Sequence, residues 1–324
     1  MGNFSDSARQ IILQSLENSE VNGSLEKGTL NNLEIYNTWI GSFSKKSSKI
    51  RILVLFEPEV VEPQLYRPQI QKYFDLIIPI SPWRAKNLAL DNWVFFPWDK
   101  EFSPVSPFKK RKEGIVVVNA NKFSSSIHSN YGLRRRAVNT LQNYGIDYDL
   151  FGFDWEFTKT EEINARLVGL KKSILNFRPF SLRETFGSML DPRVTPKGHN
   201  PNLLEILTNR DFNLVIENQS DYVSEKLLNS LLAGCIPIYV GPSLRVYLPE
   251  FVSCVFHLSS EQVTDGKHLT SILSDKEQIM EKKHNISRLL LNEKDSFKNF
   301  NSNNVWNKVS EIIVNFLSPK IPRV

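Results

Sequence analysis

Short apolar runs, nearly continuous and four to seven residues long, recur along this chain and restrict its fold more than any other feature. They are Ile50–Phe56, Leu76–Ile80, Trp93–Phe96, Gly114–Val118, Lys172–Leu175, Phe212–Ile216, Cys235–Val240 and Cys254–Leu258. Runs of this kind suit strands buried on both faces, as in parallel sheets. Helical periodicity marks Ser5–Leu16, Leu133–Asn143, Val223–Ala233, Lys276–Leu291 and Val305–Phe316, while Glu20–Asn32 is polar and reads as a loop. The alternation predicts an α/β chain with helices on both faces of parallel sheets. A length of 324 residues suits about two domains. Asp99–Glu113, with Pro104, Pro107 and the Lys109–Lys112 basic cluster, reads as the linker. No aromatic residue interleaves with those charges, so the cluster is a solvated segment and no nucleic-acid partner is expected.

The net charge of +5 suits phosphate-bearing ligands or an anionic surface, but a solvated basic surface explains it as well. Cys235 and Cys254 sit in apolar runs and read as buried free thiols, which points to a reducing compartment. No apolar stretch approaches the roughly 18 residues needed to span a bilayer. No basic-then-apolar leader is visible, and Asp6 stands where a myristoylation signal needs Ser or Thr. The expectation is a cytoplasmic protein, free or peripheral to a membrane. None of the five histidines has ligand spacing with another His, Cys or acidic pair, so no metal site is expected.

The segment Phe212–Ser243 carries the chemistry. A strand ends near Glu217, Ser220 or Asp221 can cap the next helix, and Leu227, Leu228, Leu231 and Leu232 form its apolar face. Gly234 is placed to stop that helix, and Cys235–Val240 follows as a strand. Ligands of such units bind at the carboxyl ends of the strands, beside the helix N-terminus. Glu225 and Lys226 fall in the first turn. A lysine there opposes the helix dipole, and a bound phosphate would reverse that penalty. Glu225 could accept hydrogen bonds from two vicinal ribose hydroxyls. Those two residue types alone favour a solvent-exposed Glu–Lys pair on an amphipathic helix.

The wider run decides between them. Phe212, Leu214, Glu217, Asn218, Tyr222, Glu225, Lys226, Pro237 and Gly241, continued by Pro242-Ser243, Tyr247 and Leu248-Pro249, resemble the donor-binding motif of the α1,3/α1,4-fucosyltransferases, glycosyltransferase family 10, over about 38 residues. Two weaker echoes lie upstream. Tyr131–Leu141 followed by Asp147–Gly152 resembles the family's arginine helix and following strand, with Arg134 at the diphosphate-binding arginine and Arg136 fitting an Arg-x-Arg variant. Leu53–Pro63 resembles the acidic turn after an N-domain strand, with Glu57 at the acidic position and Glu59 and Glu62 close by. The resemblance covers roughly Arg51–Pro249.

What the resemblance implies is a GT-B fold, two Rossmann-like domains facing across a cleft. An acceptor-binding domain would span 1–108 and a donor-binding domain 109–324, with the last helix able to pack back on the first. It implies an inverting transferase that needs no metal and moves L-fucose from GDP-fucose to a glycan hydroxyl. Glu57 would be the general base. Arg134, Arg136, Glu217, Asn218, Tyr222, Glu225 and Lys226 would bind the donor. Its partners would be a nucleotide-sugar and a carbohydrate acceptor. An exostosin-like transferase with another nucleotide-sugar, and a non-catalytic nucleotide- or glycan-binding relative, are the alternatives. Asp147-Tyr-Asp149 has the form of a manganese-binding acid pair, but it sits where the family has an ordinary strand and reads as structural.

Overall fold

The computed structural model describes residues 5–22, 24–38, 49–99, 102–156, 159–175, 180–182 and 189–318. The chain forms two compact units, Met1–Asp99 with Phe297–Val324, and Lys100–Ser296. The first therefore ends at Asp99 rather than at 108, and it takes in the last helix.

Unit 1 holds α1 (Asp6–Val21), β1 (Leu33–Tyr36), β2 (Ile50–Leu55), β3 (Leu76–Pro79) and α2 (Pro82–Asn87). Its sheet is parallel, in the order β1-β2-β3, with Ile52 opposite Leu76. Alternation along β2 splits the core. Ile52 and Val54 face Ala8, Ile12 and Leu16 of α1 together with Val305, Val309 and Ile313 near the end of the chain, while Leu53 and Leu55 face Leu65 and Phe74. Both faces of β2 are thus covered, which is why its run lacks the polar alternation of a one-sided strand.

Unit 2 holds β4 (Lys112–Val118), α3 (Tyr131–Asn143), β5 (Tyr148–Phe151), α4 (Lys159–Leu175), α5 (Leu203–Thr208), β6 (Arg210–Ile216), α6 (Glu225–Leu232), β7 (Ile236–Val240), β8 (Phe256–His257), α7 (Gly266–Ser274) and α8 (Lys276–Leu291). The last helix, α9 (Ser302–Leu317), returns to unit 1. The five strands of unit 2 are parallel in the order β5-β4-β6-β7-β8. Gly234 ends α6 at φ +69°, and a Cβ there would overlap the carbonyl oxygen of Val105.

Several segments differ from the sequence reading. Trp93–Phe96 is an extended arm without a ladder: Val94 N–H donates to Pro79, and the Phe95 ring lies 4.7 Å from that of Phe300. Its aromatic rings, and not strand pairing, hold it. Lys172–Leu175 is the last turn of α4, because four residues are too few to separate a buried strand from a helical turn. The Glu20–Asn32 loop contains the end of α1 and a 3-10 turn at Thr29–Asn32. Among the described residues, no helix is long and apolar enough to cross a membrane.

Asp147 and Asp149, two apart on one strand edge, both turn to Arg210 at the start of β6. Asp149 Oδ2 lies 2.7 Å from Arg210 Nε, and Lys197 pairs with its other oxygen. Burial pushes the Asp149 carboxyl up, but Arg210 and Lys197 outweigh it and hold it at about 2 against an ordinary 3.8. A depressed carboxyl stabilises the fold above its unfolded value, and that contribution fades as pH falls through the folded one. About 2 kcal/mol should therefore be lost between pH 4 and pH 2. Urea unfolding across that window should show wild type converging on Asp149→Asn as the acid is added.

Candidate functional site

At the carboxyl edge of the unit 2 sheet, three chain segments converge. β6 ends at Ile216, α6 begins at Glu225, and α3 begins at Tyr131. The loop between β6 and α6 is stitched to the start of α3, since Asn130 N–H donates to the Asn218 carbonyl at 3.1 Å.

Arg134 lies on α3 and is 4% exposed. Its Nε and Nη2 donate to the Ile216 carbonyl at 3.1 and 2.7 Å, and Nη2 also donates to Asn218 Oδ1 at 2.6 Å. The Tyr131 ring stacks under the guanidinium at 5.1 Å. Burial pulls its pKa below the ordinary arginine value, opposed by Tyr131, Glu217 and Glu225. Arginine nevertheless stays charged in proteins. Its hydrogen-bonded partners are neutral, and among the described residues no carboxylate lies within 4.0 Å of it. A buried cation without a paired anion is costly, by several kcal/mol, unless a ligand supplies the anion.

The start of α6 is built by Glu217. This residue is fully buried, and its two carboxylate oxygens accept from the Ser224 N–H at 3.0 Å and the Ser224 hydroxyl at 2.7 Å. Burial pushes the Glu217 carboxyl up, against the opposing effect of Lys226 and Ser224. Ser224, held in this way, is the residue that caps α6, not Ser220 or Asp221. Glu217 thus lies beneath the start of α6 and fixes its cap. A Cβ at Gly241 would overlap the Tyr239 hydroxyl and crowd Glu217, so only glycine fits over this buried carboxylate.

Lys226 reaches Ser224 Oγ at 3.3 Å and Glu225 Oε1 at 3.2 Å. Burial pushes the Glu225 carboxyl up, but the charge of Lys226, its own backbone N–H, the Lys226 hydrogen bond and the charge of Arg134 outweigh it, so Glu225 is held below the ordinary carboxylate range. Lys226 and Glu225 remain partly exposed, at 23% and 40% of their side chains. The structure therefore brings Arg134, Asn218, Glu225 and Lys226 to one edge, with Glu217 under them. The Tyr222 ring is buried. Arg136, two positions along α3, projects from a different helix face than Arg134. Arg135 is buried against Phe123 and donates to Asn121 and Lys122, a structural role. Ser224 and Tyr131 were not singled out as site residues by sequence, although both lie inside the matched stretches.

A cavity of about 720 Å³ opens at the opposite edge of this sheet, between Gly114, Asp147, Phe212 and Met280. It lies at the amino ends of β4 and β6, away from the convergent polar groups, so its size does not mark the site.

In unit 1, Glu57 follows β2. Its backbone carbonyl accepts from Tyr66 Oη at 2.8 Å and from the buried Arg84 Nη1 at 3.3 Å. Glu57 and Glu62 line one cavity of about 410 Å³, with Phe56 and Trp306 also in its wall, whereas Glu59 is outside that lining, in the intervening turn.

No protein-family profile matches the chain. An 85-residue stretch is 33% identical to α-(1,3)-fucosyltransferase B of Drosophila melanogaster, covering 22% of this chain and only 19% of that protein. Sucrose-phosphate synthase of Thermosynechococcus elongatus superposes with TM-score 0.53 at 13% identity, covering 95% of this chain and 79% of that one. HepE of Anabaena, solved with UDP-glucose, superposes with TM-score 0.52 at 11% identity over 82% of this chain and 72% of that one. A solved α1,3-fucosyltransferase superposes less well, with TM-score 0.47 at 13% identity over 90% and 79% of the two chains. With a parallel sheet in each of its two units, this chain has a glycosyltransferase-like fold of the GT-B type.

Proposed function

We propose that this protein is an inverting, metal-independent glycosyltransferase that moves L-fucose from GDP-fucose to a glycan hydroxyl. The observation that carries the reading is Arg134, a buried guanidinium whose described partners are neutral, set beside the start of α6 where Lys226 stands. That arrangement fits a diphosphate, which accepts charge-assisted hydrogen bonds and brings the anion the site lacks. The short match to a fucosyltransferase and the run from Glu217 to Gly241 support fucose and guanosine as the remaining parts of the donor.

In this reading Glu57 takes the proton of the acceptor hydroxyl, and the oxygen attacks the anomeric carbon. The bond to the GDP oxygen breaks with its electron pair, and the anomeric configuration inverts. Arg134 and Lys226 stabilise the charge that develops on the departing diphosphate. Glu225 and Tyr222 hold the nucleoside. Isothermal titration with GDP, UDP and CMP, each with and without EDTA, tests the donor. GDP is expected to bind most tightly and equally well in EDTA. Preference for UDP, or loss of binding in the chelator, overturns the reading.

A further inference from the structure

We propose that Glu217 is a positioning residue for the donor's diphosphate, acting through Ser224 on the start of α6 rather than on the nucleotide itself. The inference rests on the diphosphate reading of this edge of the sheet.

Both carboxylate oxygens of Glu217 are engaged by one residue. Oε1 accepts from the Ser224 N–H and Oε2 from the Ser224 hydroxyl, at 3.0 and 2.7 Å. A serine hydroxyl has one proton and two acceptor positions. With that proton committed to Glu217, Ser224 Oγ is left to accept, and it does so twice from Lys226. The backbone N–H donates to it at 3.4 Å, which caps α6, and Nζ donates to it at 3.3 Å. One buried carboxylate therefore orients both the first turn of the helix and the ammonium that it carries. Bonds to an ionised acceptor are roughly twice as strong as neutral ones, so the turn is set before an anion arrives.

A second strand holds the carboxylate from above. Gly241, just past β7, leaves the room that Glu217 occupies, and a Cβ there would crowd the Glu217 side chain as well as the Tyr239 hydroxyl. The cap of α6 is thus fixed by the ends of both β6 and β7.

Charge and position make opposite demands on this residue. A carboxylate near an anion repels it, so Glu217→Gln would tighten anion binding if charge alone mattered. Glutamine keeps only one acceptor oxygen for two donors, so the same substitution loosens Ser224 and with it Lys226. Position should win, because the hydrogen bonds to Ser224 are direct while Lys226 and Arg134 already offset the charge.

Calorimetric titrations of the full chain with inorganic pyrophosphate and with GDP read the sign. Glu217→Gln and Ser224→Ala are each expected to weaken both ligands by about threefold to thirtyfold, the range that loss of a helix cap brings. The double variant should be within about twofold of the weaker single one, since the two residues act as a unit. Gly241→Ala, which alters no charge, should weaken both ligands as well. The proposal is overturned if Glu217→Gln tightens pyrophosphate or leaves it unchanged, if it weakens GDP alone, or if its effect multiplies with that of Ser224→Ala. Any of these, with wild type binding GDP, leaves the donor reading standing. Wild type that binds pyrophosphate as tightly as GDP, with the variants weakened as expected, defeats the guanosine part of that reading and leaves this inference intact.

Discussion

Glu57→Gln should slow glycosyl transfer by about 10²–10⁴-fold, the usual contribution of a general base. The substitution keeps the shape of the side chain and removes only its capacity to take a proton. The position is rigid. Glu57 lies two residues beyond the buried strand β2, its carbonyl is pinned by Tyr66 and Arg84, and Pro58 restricts it to extended backbone. GDP affinity should be unchanged, because the residues assigned to the diphosphate belong to unit 2. Glu59→Gln should have little effect, since Glu59 is not among the residues lining the cavity. Glu62→Gln should lose much less than Glu57→Gln. Initial rates for the three variants, with GDP titrations alongside, decide the matter. A Glu62→Gln or Glu59→Gln variant that loses turnover while Glu57→Gln keeps it would move the base to that carboxylate.

Lys226→Ala and Arg134→Ala should each weaken GDP binding by about ten- to a hundredfold, corresponding to a charge-assisted hydrogen bond of about 1.5–3 kcal/mol. Their effects on the fold should differ. Lys226 is partly exposed, and its ammonium contacts are Ser224 and Glu225, so its loss should leave unfolding nearly unchanged. Arg134 is buried and holds both the end of β6 and Asn218, so its removal should also cost about 1–3 kcal/mol of stability by orphaning buried acceptors. Calorimetry paired with urea unfolding separates the two outcomes. Normal GDP binding by both variants would remove the diphosphate from this edge of the sheet.

Much of unit 2 was legible because its strands are covered on both faces and its helices end in local signals. The apolar run Phe212–Ile216 lies wholly inside β6, Lys276–Leu291 coincides with α8, and Gly234 stands where the backbone turns left-handed. The start of α6 was less legible. Ser220, Asp221 and Ser224 are all capable caps, and the choice depends on the buried carboxylate of Glu217, which local propensity does not register. Sequence also assigned Arg134 a charge without revealing that its hydrogen-bond partners are a carbonyl and an amide, the feature that makes it a candidate for an anion. The wall of the unit 1 cavity was illegible for a different reason. Phe56 and Trp306 are 250 positions apart, and no periodicity joins them. In the same way, the acid pair at Asp147 and Asp149 matched a metal motif in form, and only its distant partner Arg210 shows why it is there.

The core shared by α1 and α9 has a consequence for how the chain is made. Ala8, Ile12 and Leu16 leave the ribosome early, while Val305, Val309 and Ile313, which cover the same face of β2, emerge after all of Lys100–Ser296. At about 5–20 residues per second, the intervening stretch takes roughly 10–40 s to synthesise. Throughout that interval the first sheet stays half-dressed, its apolar face open to chaperones or to another nascent copy. The contiguous second unit, by contrast, has its whole sheet in hand before α9 exists. A released chain that ends just short of Ser302 should thus show a protease-resistant second unit and a protease-sensitive first one.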